Sequence, residues 1–340
     1  MQSASQPKVH AMSAGSAPFL AADVGGTHAR IGLVRGARGA GQVAVLAYRK
    51  YVCADYDGLA AILRDFLAGA GQPAVTHCAL ACAGYPIDGV VVNDNLPWTV
   101  AVAAVREAIG LDELSLINDF EALAYATRYL DPAAATPLTD AVDATERGPL
   151  VVVGPGTGLG SAVLIRDQAQ PMVLATEAGQ ISLAPGTALE RDILGLLAAR
   201  DSHVSCEHVL SGPGLLTLYR ALCTLRGTPA ALDTPNAVTA AALADADPVA
   251  RQALETFCGL LGSFVGDLAM LYGAGGGVYL AGGILPQIRD FLLRSRFVER
   301  FLDKGRMRAF LERVPVRLME HGQLGVIGAA GWYLDHHHET

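Results

Sequence analysis

A chain of 340 residues with 51% hydrophobic and 17% charged residues can fill two ordinary cores, which excludes disorder for most of its length. Its formal net charge of -8, and the absence of a basic stripe with interleaved aromatics, exclude the electrostatic footprint of a nucleic-acid binder. The first seventeen residues mix Ser, Ala and Gln without the apolar core of a signal peptide and read as a disordered lead-in.

From Phe19 onward strand-like and helix-like segments alternate, which predicts an α/β protein. Phe19 to Val24 and Ala29 to Val34 read as two strands of a hairpin tipped by Gly25-Gly26-Thr27. Val43 to Val52 follows as a strand, Leu59 to Ala68 as a helix and Val75 to Ala83 as a buried strand ending at Gly84-Tyr85-Pro86. Val100 to Ile109 has helical spacing, Leu114 to Ile117 is a short strand, and Phe120 to Tyr129 is rich in helix formers. Asp131 to Pro149, rich in Ala, Pro, Thr and Asp, reads as a linker. Leu150 to Ile165 then repeats the design of Phe19 to Val34, with Gly156-Thr157 set on Gly26-Thr27. One strand-glycine-strand device used twice predicts two similarly built units. Helices are expected at Ala188 to Arg200, Leu215 to Arg226, Pro248 to Leu271 and Gln287 to Leu293, with a strand at Val278 to Leu280. The expected division is a smaller unit of residues 18–130 plus 321–334, a larger one of 131–320, and a solvated tail at 335–340.

Leu268 to Ile288 carries no charge over about the length of a membrane span, but its glycines and Pro286 break it into a helix end, a loop, a strand and a turn, so no membrane partner is expected. The six cysteines are scattered except for Cys78 and Cys82, with no zinc-type cluster. They read as small buried residues in a reducing compartment, hence a cytoplasmic protein.

Consecutive glycines at a strand turn let backbone N–H groups approach a phosphate chain, and both Gly25-Gly26-Thr27 and Gly156-Thr157-Gly158 fit that need. The plainer reading is a pair of hairpin turns. Asp23, just before the first tip, is positioned to hold Mg²⁺ through water, and Ala281-Gly282-Gly283 forms a third glycine turn after an apolar strand where a nucleoside can lie. No Gly-x-x-x-x-Gly-Lys-Ser/Thr loop is present, and the glycine-rich run Gly154 to Gly160 precedes a strand, which counts against a dinucleotide fold. Asn118 and Asp119 stand where a buried strand meets a helix. Asn118 with Glu121 has the spacing of a reciprocal helix cap, while a carboxylate at a helix start also suits proton abstraction from a substrate hydroxyl. Glu177 to Gln180 and Glu207-His208 each set a carboxylate beside loop-forming residues, a pattern suited either to the surface or to vicinal sugar hydroxyls.

In order and spacing, Asp23-Val-Gly-Gly-Thr27, Asn95-Leu-Pro-Trp98, Leu116-Ile-Asn-Asp-Phe120, Gly154-Pro-Gly-Thr-Gly-Leu-Gly160, Ser211-Gly-Pro-Gly214 and Tyr279-Leu-Ala-Gly-Gly283 resemble the bacterial glucokinase family. The resemblance runs from about Phe19 to Trp332, within the wider group of sugar kinases and actin-like ATPases. It implies two ribonuclease-H-like lobes facing a central cleft, Mg-ATP as phosphoryl donor and a homodimer. It further implies Ala22, Asp23, Val24, Gly25, Gly26 and Thr27 as the ATP segment, Asp119 as the base, and Asn118, Glu177 and Glu207 as sugar-binding groups. Gln180 stands where the family's Glu-x-Gly-His signature places a sugar-binding histidine, and His28 where the family more often has Asn. Phosphorylation of glucose at its 6-hydroxyl is expected; the alternatives are another hexose or a sugar-sensing paralogue without catalysis.

Overall fold

The computed structural model describes residues 17–36, 42–93, 96–141, 148–166, 171–319 and 322–337. The lead-in up to residue 16, Asn95 of the motif above and tail residues 338–340 lie outside them. The chain divides into two units, Met1–Tyr129 with Gln323–Thr340, and Leu130–Gly322.

Along β1 (Phe19–Val24) successive apolar residues point to opposite faces, so a strand without polar alternation has to be covered on both sides. It is: Leu20, Ala22 and Val24 join one core cluster, whereas Phe19 and Ala21 join another. β1 pairs antiparallel with β2 (His28–Gly36), which pairs with β3 (Val43–Val52). Helix α1 (Leu59–Gly69) leads to β4 (His77–Cys82), parallel to β1. A small antiparallel sheet of β5 (Tyr85–Ile87), β6 (Val90–Val92) and β7 (Val100–Ala101) precedes α2 (Val102–Ile109), so the first two residues of the expected Val100 to Ile109 helix pair as a strand instead. Strand β8 (Glu113–Asn118) lies parallel to β4 and runs into α3 (Asp119–Ala126).

The second unit opens with β9 (Thr136–Pro137), inside the stretch expected to be only a linker. Then come β10 (Leu150–Pro155), β11 (Leu159–Ile165), β12 (Met172–Thr176), α4 (Ala188–Ala198), α5 (Gly212–Arg226), α6 (Pro235–Leu243) and α7 (Pro248–Leu271). The unit ends with β13 (Gly277–Leu280), α8 (Arg289–Arg294), α9 (Phe297–Leu302), α10 (Arg308–Leu311) and β14 (Val316–Leu318). Its sheet order, β12-β11-β10-β13-β14-β9, repeats the first unit's β3-β2-β1-β4-β8 with one strand added at the end. Helix α7 is long and apolar enough to cross a membrane by length alone, but most of it is buried in this core. Its Gly262 leaves room for the Phe297 carbonyl, which brings α9 close.

Helix α11 (Leu324–His336) returns to the first unit and covers the second face of its sheet through Val326, Ala329 and Ala330. A side chain at Gly328 would collide with the Ala122 carbonyl of α3, so a small residue is required for that close approach. The helix continues into the segment expected to be tail. Asp335 pairs with Arg128, and His337 Nε2 lies 2.7 Å from Glu113 Oε1, which fastens this end onto the unit.

Among the described residues of the second unit, one charged pair is buried on both sides. Arg300 of α9 donates to both carboxylate oxygens of Glu190 on α4 at 2.6 and 3.0 Å, and its Nε reaches Ser263 of α7 at 3.0 Å. Burial by itself pushes the Glu190 carboxyl up, but Arg300 and the N–H groups of Gly186 and Thr187 outweigh it and leave the group below its ordinary range. Removing one partner strands a buried charge, so Arg300→Met is expected to lower stability by about 3 to 5 kcal/mol, measured by denaturant unfolding at pH 7. Because the folded value is depressed, Glu190 contributes stability above its unfolded value of about 4.3 and loses it as pH falls through the folded one. The gap between parent and variant should therefore narrow on acidification.

Candidate active site

In the first unit, the parallel register places Val24, Cys82 and Asn118 side by side at the carboxyl ends of β1, β4 and β8. Ligands of open α/β sheets bind outside such an edge. The turn Gly25-Gly26-Thr27 leaves β1 here. It is tied down by Gly25 N–H to the His28 carbonyl at 3.1 Å and by Cys53 N–H to the Thr27 carbonyl at 2.9 Å. Ala22 and Val24 are fully buried. Asp23 between them points to the other face, where its Oδ2 lies 3.2 Å from Arg30 Nη1 and its carboxylate fills the space beside Gly325 in the first turn of α11. Burial pushes the Asp23 carboxyl up, and Arg30 opposes this.

Asn118 caps α3: its Oδ1 accepts the N–H of Phe120 at 2.8 Å and of Glu121 at 3.3 Å, while Glu121 Oε2 accepts the Asn118 N–H at 3.1 Å. The expected capping box is thus present. Asp119, half-buried, accepts the Phe120 N–H at 3.0 Å. Its carboxylate and that of Asp23 both act on the buried Cys82 thiol, which burial first and these charges second push up to about 12. That thiol is inert packing, in keeping with the expected role of the cysteines.

In the second unit Gly156-Thr157-Gly158 joins β10 to β11 and is gripped by the segment that leads into α5. Gly212 N–H donates to the Gly156 carbonyl at 2.8 Å, and Glu207 Oε2 accepts the Leu159 N–H at 2.7 Å. Gln180 Nε2 reaches Glu207 Oε1 at 3.0 Å, so the side chain of Gln180 is bonded to Glu207, and its link to Glu177 is the backbone bond from Gln180 N–H at 2.9 Å. Glu177 is exposed. Gly282 follows β13 at φ +100° with no room for a side chain against the Pro155 carbonyl, which sets it beside the first glycine turn of this unit; Gly283 is open.

The Glucokinase family profile matches residues 20–336. The chain belongs to the glucokinase family. Among its relatives are a glucokinase-like protein of Xylella fastidiosa, 51% identical over 93% of this chain and 95% of that one, and a glucokinase of Paramagnetospirillum magneticum, 40% identical over 93% and 97%. A solved glucokinase from an Antarctic psychrotroph superposes with a TM-score of 0.82 at 38% identity, covering 94% of this chain and 99% of that one. A likeness of fold alone extends to a ROK family glucokinase from Streptomyces griseus, solved with glucose and AMPPNP, at TM-score 0.63 and 21% identity over 93% and 98% of the two chains. This glucokinase-family chain accordingly has the two-unit α/β fold of these sugar kinases.

The structure brings Ala22–Thr27, Asn118 and Asp119 to one sheet edge, and Gly156–Gly158, Gln180, Glu207, Gly282 and Gly283 to the other unit's turns. Sequence reasoning missed Arg30, the counter-charge to Asp23. Folding the hairpin on Gly25-Gly26-Thr27 pairs residue 24 with 29 and hence 23 with 30, so the signal was present. Gly282→Ala combines a strained φ with a collision and is expected to lower stability by about 1 to 3 kcal/mol, whereas Gly283→Ala, with nothing within 4 Å of the added methyl, should be nearly neutral in thermal unfolding.

Proposed function

We propose that the protein transfers the terminal phosphoryl group of ATP to the 6-hydroxyl of glucose. The family match over residues 20–336 gives the class, and the capped Asn118-Asp119 pair at the end of β8 is the observation that carries the chemistry. Asp119 accepts the proton of the 6-hydroxyl as that oxygen bonds to the γ-phosphorus and the bond to ADP breaks. Asn118 uses Oδ1 for the helix, and its amide N–H groups are assigned to the sugar. Glu177, Gln180 and Glu207 are assigned to the sugar, Ala22–Thr27, Gly156–Gly158, Gly282 and Gly283 to ATP.

Mg²⁺ is assigned to arrive with ATP, where it neutralises charge on the transferring group. Among the described residues no group of three or more His, Cys, Asp or Glu side chains forms a metal cage, and Asp23, already paired with Arg30 at 3.2 Å, would reach a cation through water, with the phosphates as its main ligands. We also assign the family's homodimeric, cytoplasmic state, which sedimentation of the purified protein tests for assembly.

Asp119→Asn keeps the shape of the side chain but cannot take a proton. It should reduce kcat by about 10² to 10⁴ while glucose still binds, read by coupled ADP release and by calorimetry. A variant as fast as the parent would remove Asp119 from this role. The choice of glucose rests on the segment in which Gln180 replaces the family's histidine. Gln180→His is expected to lower KM for glucose roughly five-fold, one improved hydrogen bond, in a panel of hexoses run on parent and variant. Improvement for glucose with loss for another sugar would show that this chain is tuned to that other hexose.

A further inference from the structure

Besides its own bond from Gly156 N–H to the Gly158 carbonyl at 2.7 Å, the Gly156–Leu159 turn is gripped by one short segment, Glu207 to Gly212. At one end Gly212 N–H holds the Gly156 carbonyl at 2.8 Å; at the other, Glu207 Oε2 holds the Leu159 N–H at 2.7 Å. Within the segment, Ser211 Oγ donates to the Glu207 carbonyl at 2.9 Å and accepts the Gly214 N–H at 3.0 Å, so the grip is fastened to the N-cap of α5. The carboxylate also forms the wall behind the turn. A methyl group at Gly158 would lie 2.6 Å from Glu207 Oε2 and 3.3 Å from its Cδ, whereas one at Gly156 would meet nothing within 4 Å. The other carboxylate oxygen, Oε1, accepts from Gln180, whose backbone carbonyl lies 2.8 Å from His203 Nε2. One side chain thus has one oxygen on the glycine turn and the other on the segment assigned to sugar. Charge-assisted bonds of this kind are about twice as strong as neutral ones, and a carboxylate cannot swing toward one partner without changing its geometry at the other.

We propose that Glu207 is a positioning residue that couples the glycine turn to the sugar-binding segment, so that sugar occupancy sets the turn and a change confined to the turn alters sugar affinity without any nucleotide present. The proposal rests on the assignment of Gln180 and Glu207 to the sugar. Coupling of two binding events is reciprocal, so either end can be perturbed and the other read. A turn that only cradles phosphate has no reason to affect sugar binding in nucleotide-free protein.

The experiment measures glucose binding by calorimetry on the full chain without nucleotide, for the parent, Gly158→Ala and Gly156→Ala, with thermal unfolding as a check on folding. Gly158→Ala displaces the carboxylate and should raise the Kd for glucose about ten-fold or more, since a bond to a charged group is disturbed, while Gly156→Ala should stay within about two-fold of the parent. In case Gly158→Ala does not fold, Glu207→Gln gives the reverse reading. It preserves shape but weakens the hold on the Leu159 N–H, and the Kd for AMPPNP in the absence of sugar should rise about five- to ten-fold. A folded Gly158→Ala variant that binds glucose like the parent, equal losses in Gly156→Ala and Gly158→Ala, or a Glu207→Gln variant with parental AMPPNP affinity overturns the coupling. A parent that binds no hexose at all overturns the functional assignment itself and the coupling with it, so the two failures are told apart.

Discussion

The parallel alignment of β1, β4 and β8 is the constraint on which the first unit's site depends. Because Val24, Cys82 and Asn118 are opposite one another, the three strands stop together, and whatever follows each strand is delivered to the same edge. A slip of one residue would turn every side chain of a strand to the opposite face, burying Asp119's neighbours differently and undoing the alternation that splits Leu20, Ala22 and Val24 from Phe19 and Ala21. The register is held from both sides at once, by the apolar cluster that includes Ile62, Leu63 and Phe66 and by α11 through Val326 and Ala329. Fold stability and site geometry are here the same interaction.

Repetition of the sheet order in the second unit gives a second set of strand ends, but the two glycine turns are secured differently. The first is held by backbone bonds to its own flanks and to Cys53. The second has a backbone bond of its own, Gly156 N–H to the Gly158 carbonyl at 2.7 Å, and another from Gly212, and is held in addition by the Glu207 side chain. Backbone bonds fix a turn whatever is bound near it, whereas a carboxylate remains responsive to new donors, since each of its oxygens can accept more than one hydrogen bond. A duplicated fold therefore carries two turns closed by backbone bonds, to one of which a polar side chain is added.

Where a polar group lies at these edges, its surroundings determine its chemistry. Asp23 is enclosed and its carboxyl stays pushed up despite Arg30, Glu190 is buried yet held ionised by a guanidinium and two backbone N–H groups, and the Cys82 thiol is silenced by burial beside two carboxylates. The same residue types on a solvated loop would behave ordinarily. Burial pushes both carboxyls up, and only where a bidentate guanidinium is joined by backbone N–H groups, as at Glu190, is the sign reversed.

Short-range features were legible from the chain alone. The two hairpins, the glycine tips, the Asn118–Glu121 cap and helix α7 each depend on residues a few positions apart or on an unbroken apolar period, and the structure contains all of them. Among the elements not read are some whose patterns are weak by themselves: three-residue β14, β9 inside a Pro-rich stretch, and α11, whose three glycines lower helix propensity and are tolerated because close packing on β1 and α3 requires them. Gln180 was placed beside Glu177 through the family's Glu-x-Gly-His signature, yet its side chain bonds Glu207, 27 positions later, and Arg30 emerged as the counter-charge of Asp23 only across a hairpin. Sequence by itself determined the local backbone and which residue types stood at strand ends, because turn, cap and period are local physics. Only the tertiary structure decided which polar groups share a bond, because that depends on distances that chain spacing does not contain.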